Sequence, residues 1–310
     1  MTSTHAAVPS AAQPQASFHA ADHLVARVAK VDAATCVGLD PVLDRLPASL
    51  RPADPSNDAA CASAIEAFSV GVIDSVHESC AAVKIQAACY ERYGAAGFAA
   101  MGRVLAHARA SGLSVVYDAK RGDIGISAEH YANGARALGA HWTTINAYLG
   151  SDGIAPFLTG GQGAFALVRT SNPSGDALQT LPLADGRTIA EAVADLVSKL
   201  GEASVGASGF SALGAVVGAT KRAEIASLRA RMPRTIFLVP GYGAQGGTAD
   251  DVRAAFTRGN QGALITASRS VIYPSFAGSG AAGSGDWRDA IRAAAVQFAG
   301  EIRAITGGAS

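Results

Sequence analysis

The chain has 310 residues, 49% hydrophobic and only 6% aromatic, with 25 basic residues balanced by 25 acidic ones. That length fits one large domain or two smaller ones, and the composition suits a densely packed α/β protein. Net neutrality removes the global field that would draw in nucleic acid or an anionic membrane, so any anionic partner must be met by a local site and the expected partner is a small molecule.

Residues 1–17, "MTSTHAAVPSAAQPQAS", are rich in Ala, Ser, Pro and Gln and lack the basic start and apolar block of a signal peptide. A disordered tail is expected there, with residues 18–310 forming one catalytic domain. Cys36, Cys61, Cys80 and Cys89 make neither C-x-x-C nor a zinc-ligand spacing, which points to reduced thiols in a reducing compartment. No apolar run approaches the ~20 residues that span a bilayer, so a cytoplasmic protein is expected, without membrane association.

Short apolar, β-rich runs then recur down the chain: "TCVGLD" (35–40), "AAVKIQ" (81–86), "SVVYDAK" (114–120), "WTTINA" (142–147), "GAFALVRT" (163–170), "SALGAVVGA" (211–219), "TIFLVPG" (235–241) and "GALITASRS" (262–270). Between them, Ile65/Phe68/Val72/Val76, Phe98/Met101/Leu105/Ala108 and Ile225/Leu228/Met232 step at helical spacing. Thr188-x-x-Glu191 reads as a capping box and Thr248-x-x-Asp251 as a looser relative. A last helix follows Trp287, with Ile291, Phe298 and Ile302 on one side. Eight strands alternating with helices predict a (β/α)8 TIM barrel. Two segments exceed ordinary loops: an insertion at 171–209 with a helix of its own, and a Gly/Ser-rich loop at 276–286, both after strands at the C-terminal mouth where such barrels build active sites.

The strand ends carry the chemistry. "VVYDAKRGDIG" (115–125) crowds Asp118, Lys120, Arg121 and Asp123 directly after an apolar run, in a chain only 16% charged. Side chains alternate across a strand, so Asp40, Lys84, Asp118 and Lys120 are expected on the inward faces of three consecutive strands. A structural ion-pair network accounts for any one of them; their convergence favours a functional site. After strands seven and eight, "VPGYGAQGG" (239–247) and "TASRS" (266–270) suit a phosphate site: Gly241, Gly243, Gly246 and Gly247 permit close backbone approach, Gln245 offers an amide and Arg269 a guanidinium. "GYGAQG" also matches the dinucleotide fingerprint G-x-G-x-x-G, but the acidic residue expected about twenty positions later is missing. The seven histidines show no ligand spacing and no G-x-S-x-G elbow occurs. Lys84 as a Schiff-base lysine stays an alternative.

"DAKRGDI" resembles the D-x-K-x-x-D-I motif of the orotidine 5'-phosphate decarboxylase family, and "VGLDP", "VKIQ", "PGYGAQGG" and "SRS" look like its other landmarks in the same order, from about Thr35 to Ser270. The resemblance implies decarboxylation of orotidine 5'-phosphate to UMP in pyrimidine synthesis, with no metal or cofactor, by a homodimer of TIM barrels with shared sites. It implies an alternating charge array of Lys84, Asp118, Lys120 and Asp123, with Asp123, Ile124 and Ser127 serving the neighbouring subunit's site. The family often has Thr where Ser127 stands; the hydroxyl is kept. Asp40 would bind ribose hydroxyls, Ser171 the pyrimidine amide, Pro240 the base, and Gln245 with Arg269 the phosphate. The long 171–209 segment and the tail look like the longer bacterial branch. A magnesium-dependent phosphosugar lyase or decarboxylase of the same barrel type, a non-enzymatic phosphonucleotide-binding module, and a nicotinamide oxidoreductase are the rival readings.

Overall fold

The computed structural model describes residues 18–243, 247–274 and 286–307. The expected tail at 1–17, Gln245 and Gly246, and nearly all of the 276–286 loop lie outside these described residues.

All eight apolar runs are strands: β1 (Thr35–Leu39), β2 (Ala82–Gln86), β3 (Ser114–Arg121), β4 (Trp142–Ile145), β5 (Gly163–Arg169), β6 (Ser211–Val217), β7 (Thr235–Pro240) and β8 (Ala263–Ala267). They pair in parallel in chain order and β8 returns to β1, closing the barrel. Every residue of β1, β6 and β8 is buried. Helices cover one face of each strand and barrel side chains fill the other, so these strands read as continuous apolar runs without polar alternation.

In chain order the helices are α1 (Ala20–Val31), α2 (Asp58–Val76), α3 (Ala88–Glu91), α4 (Gly94–Ala110), α5 (Gly125–Ala137), α6 (Ser151–Ile154), α7 (Asp176–Gln179), α8 (Ile189–Gly201), α9 (Arg222–Arg231), α10 (Ala249–Arg253), α11 (Arg269–Ile272) and α12 (Trp287–Gly307). Both Thr-led starts form full capping boxes, Thr188 with Glu191 on α8 and Thr248 with Asp251 on α10. The shorter Asp251 side chain still reaches back to the Thr248 N–H, at 2.7 Å.

Two expectations need correction. Phe98 is 45% exposed, because α4 buries Gly97, Ala100, Met101, Val104, Leu105 and Ala108 instead; Gly97 seats the helix against the Tyr90 carbonyl, rotating Phe98 outward. Second, α2 is 19 residues long and apolar enough by composition to cross a membrane. Its many Ala, Ser and Gly residues keep it from reading as a continuous bulky apolar run. It packs against α4 and α12 with Ile65, Phe68, Val72, Ile73 and Val76 all buried, as a barrel's covering helix should.

The long segment between β5 and β6 carries α7 and α8. An isolated antiparallel bridge, Pro182 to Thr188, closes the turn between them.

Candidate active site

Strand register brings the charged residues together. Gly38 pairs with Lys84 across β1–β2, Lys84 with Val116 and Gln86 with Asp118 across β2–β3, so inward positions climb toward the C-terminal mouth from strand to strand. Gly38 shares that inward face. A Cβ there would sit 1.9 Å from the Ser268 hydroxyl, so glycine is what lets the loop after β8 fold in over β1.

Asp118 is the hub, 5% exposed. Its Oδ2 accepts from Lys84 Nζ at 2.5 Å, and its Oδ1 accepts from Lys120 Nζ at 2.7 Å and from Thr144 Oγ1 at 2.8 Å. Burial alone would raise this carboxyl, but Lys84, Lys120 and their hydrogen bonds outweigh it and hold the group at about 2. Burial would likewise lower Lys84, yet Asp118 and Asp40 push its ammonium above the ordinary lysine value. A Schiff-base lysine needs an amine driven the other way, so this environment argues against that alternative for Lys84. Asp40 lies just past β1, with Oδ1 3.6 Å from Lys84 Nζ. That oxygen is buried and has no hydrogen-bond partner among the described residues.

Lys120 faces the cavity as alternation expects, but its backbone is not that of a regular strand. The β3–β4 register shifts between Tyr117 and Arg121, and Lys120 takes φ 46°, in the left-handed region. Such a conformation costs roughly 1–2 kcal/mol for an L-residue and persists only where surroundings over-determine it. Here Thr144 Oγ1 accepts the Lys120 backbone N–H at 3.0 Å while Asp118 takes its ammonium. One hydroxyl thus fixes both ends of the D-x-K pair. The ammonium stays half exposed and faces the cavity. Arg121 turns away, to Glu91 at 2.8 Å and the Tyr117 hydroxyl at 2.9 Å, and serves the outer face.

The mouth holds a cavity of about 310 Å³. Asp40, Lys84, Asp118, Lys120, Ser171, Pro240 and Arg269 all line it. Gly241 and Gly243 both take positive φ, 100° and 68°, flanking Tyr242 in the loop after β7. Asp123, Ile124 and Ser127 do not line this cavity: Asp123 Oδ1 accepts its neighbour's Ile124 N–H, and Ile124 is 54% exposed. Tyr242, Thr266 and Ser268, from the two segments expected to form the phosphate site, also line the cavity, and so does Thr144, which was not anticipated. Inward parity with Asp118 would have found Thr144; a threonine in a β-rich run otherwise reads as strand propensity.

The unfolded-state value of Asp118 is near 3.8 and its folded value about 2. Stability from this depressed carboxyl is full above the first value and lost as pH falls through the second. Asp118→Asn should therefore be less stable at neutral pH, where Lys84 loses its buried counter-charge, yet show a flatter acid limb when urea midpoints are followed from about pH 5 to about pH 2. An acid limb as steep as that of the unsubstituted chain would contradict the assignment.

Residues 36–275 match the model of the orotidine 5'-phosphate decarboxylase / HUMPS family. A protein of Rhodopirellula baltica named orotidine 5'-phosphate decarboxylase is 40% identical over 300 residues, covering 91% of this chain and 98% of its own. A namesake from Herpetosiphon aurantiacus is 41% identical over 242 residues, 77% and 84% of the two chains. The solved structure of OMP decarboxylase from Leishmania donovani shares the fold with a TM-score of 0.75 at 33% identity, over 94% of this chain and 99% of that one. With its closed eight-stranded barrel and the lysine–aspartate array at the mouth, the chain belongs to the orotidine 5'-phosphate decarboxylase / HUMPS family.

Proposed function

We propose that this chain converts orotidine 5'-phosphate to UMP and CO2, the decarboxylation of pyrimidine synthesis, with no metal or organic cofactor. The observation that carries the reading is the single buried carboxylate of Asp118 holding two ammonium groups, Lys84 and Lys120, in a cavity also lined by Arg269 and the Pro240–Tyr242 loop. Both Asp118 oxygens are already engaged by lysine and threonine donors. That favours a lysine-centred chemistry over the magnesium-dependent rival, which would need those oxygens as ligands.

In this mechanism the C6–carboxylate bond breaks, CO2 departs, and the electron pair stays on C6 in the ring plane, where resonance gives little help. Lys120 supplies a fixed cation beside that carbon and then delivers its proton there. Asp118 holds the lysine in place. It also repels the substrate carboxylate, but two unit charges ~4 Å apart at an effective dielectric of ~20 give only about 4 kcal/mol, against the ~8–23 kcal/mol that enzymes typically supply. Repulsion is thus a minor contributor. Asp40 Oδ1, which accepts no hydrogen bond among the described residues, fits a carboxylate that meets a ribose hydroxyl, and Ser171 and Pro240 are suited to the base. Arg269, at the start of α11, suits the phosphate, and Gln245 is assigned to it by resemblance.

The reading includes a homodimer with shared sites. Asp123, Ile124 and Ser127 lie off their own cavity. Ile124, Ile126, Tyr148 and Leu149 expose large apolar surfaces, and Leu149 and the Asp123 carbonyl both pack on Gly153. A second copy would cover that apolar surface and receive Asp123.

Purified protein in a chelator should bleach the absorbance of orotidine 5'-phosphate. Lys120→Ala and Asp123→Ala should each fail alone, and mixing the two should restore part of the activity; no restoration would contradict shared sites, and UMP binding without CO2 release would favour a binding module. Arg269→Ala should lower kcat/KM strongly for the nucleotide and hardly alter a phosphate-free analogue, since binding energy from the phosphoryl group is then used at the reacting carbon. Equal losses on both substrates would refute the remote grip.

A further inference from the structure

The loop after β5 supplies three consecutive residues to the cavity, Thr170, Ser171 and Asn172, while Arg169 beside them supplies none. By alternation Arg169 would share the inward face of Leu167. The β5–β6 register shifts between those two residues, however, and such an irregularity re-aims a side chain. Arg169 is 1% exposed, a cation buried outside the cavity that must be matched where it lies.

It is fully matched. Nε and Nη2 donate in parallel to Glu224 of α9 at 2.6 and 2.9 Å. Nη1 lies 2.8 Å from Asp176 Oδ1 and donates to Gln179 Oε1 at 3.1 Å, at the two ends of α7. Lys221 holds Asp176 from the other side at 2.7 Å. The Gln179 carboxamide then passes this anchorage to the cavity wall: its Oε1 accepts the Thr170 N–H at 2.9 Å and its Nε2 donates to Thr170 Oγ1 at 2.8 Å.

The opposite side of the loop is clamped by the residues that follow β6. The Gly218 N–H donates to the Arg169 carbonyl at 2.8 Å, Thr220 Oγ1 donates to the Ser171 carbonyl at 3.3 Å, and a Cβ on Gly218 would stand 2.8 Å from Ser171 Cα. Without such ties a surface loop of this length samples many conformations.

We propose that Arg169, acting through Gln179, is a positioning residue that sets the Thr170–Asn172 loop for the base end of the nucleotide. The first turn of the 171–209 insertion is thereby part of the site's support. The inference rests on the decarboxylase reading above. If the loop is untied, only a fraction of molecules present a binding-competent wall, and apparent affinity falls by that fraction while bound substrate still reorders the loop and reacts.

Gln179→Leu removes the tie with little change of volume, and Gln179→Glu keeps the acceptor used by both Arg169 and Thr170. Measured on the full chain, Gln179→Leu should raise KM for orotidine 5'-phosphate and the UMP dissociation constant by about tenfold, with kcat within about threefold, as a loss of pre-organisation predicts. Gln179→Glu should return both constants most of the way. The inference is overturned if Gln179→Leu shifts only the urea midpoint, lowers kcat at unchanged KM, or leaves all three constants alone, and equally if the Glu variant restores nothing. An unsubstituted chain that neither bleaches the nucleotide nor binds UMP would instead strike the decarboxylase reading itself.

Discussion

One buried carboxylate organises the mouth of this barrel. Asp118 is taken almost wholly out of water, a costly act that only close counter-charges can offset. Lys84 and Lys120 provide them, one on each oxygen, and Thr144 adds a neutral donor. The arrangement leaves an ionised acid well below its ordinary range and a half-exposed ammonium held in a strained backbone conformation. Charge fixed before substrate arrives needs no reorganisation during reaction, which is where catalytic electrostatics gains most.

The closed barrel makes that possible by register. Parallel pairing steps the inward residues of β1, β2 and β3 toward one rim, and the later strands bring their loops to the same rim. Two register irregularities do the fine placement. The one in β3 sets Lys120 over the mouth, and the one in β5 turns Arg169 away from it to brace the loop that follows. Lys120 keeps the inward side that alternation gives it, through a left-handed backbone, whereas Arg169 is steered off the face it would share with Leu167.

Much of this was legible in the residues. The eight apolar runs became strands because strands covered on both sides need no polar alternation. Lys84 and Asp118 followed from parity alone. Lys120 was expected inward, but its left-handed backbone was not, since no glycine marked the turn. Arg169 was hidden at the end of an ordinary strand, because a register shift has no local sequence signature. Phe98 fitted the helical spacing, yet α4 chose its buried face by the small Gly97. Asp123, Ile124 and Ser127 were read from resemblance, and a single chain shows only that they leave its own cavity free.

The central claim is that Lys120 stabilises, and then protonates, an anion at C6 of the pyrimidine. Solvent exchange of the C6 hydrogen of UMP in D2O tests it most directly, because that exchange runs the protonation step backwards without any carboxylate. The account predicts that the protein catalyses this exchange and that Lys120→Ala abolishes it while UMP still binds. Exchange that survives the loss of Lys120 would contradict it.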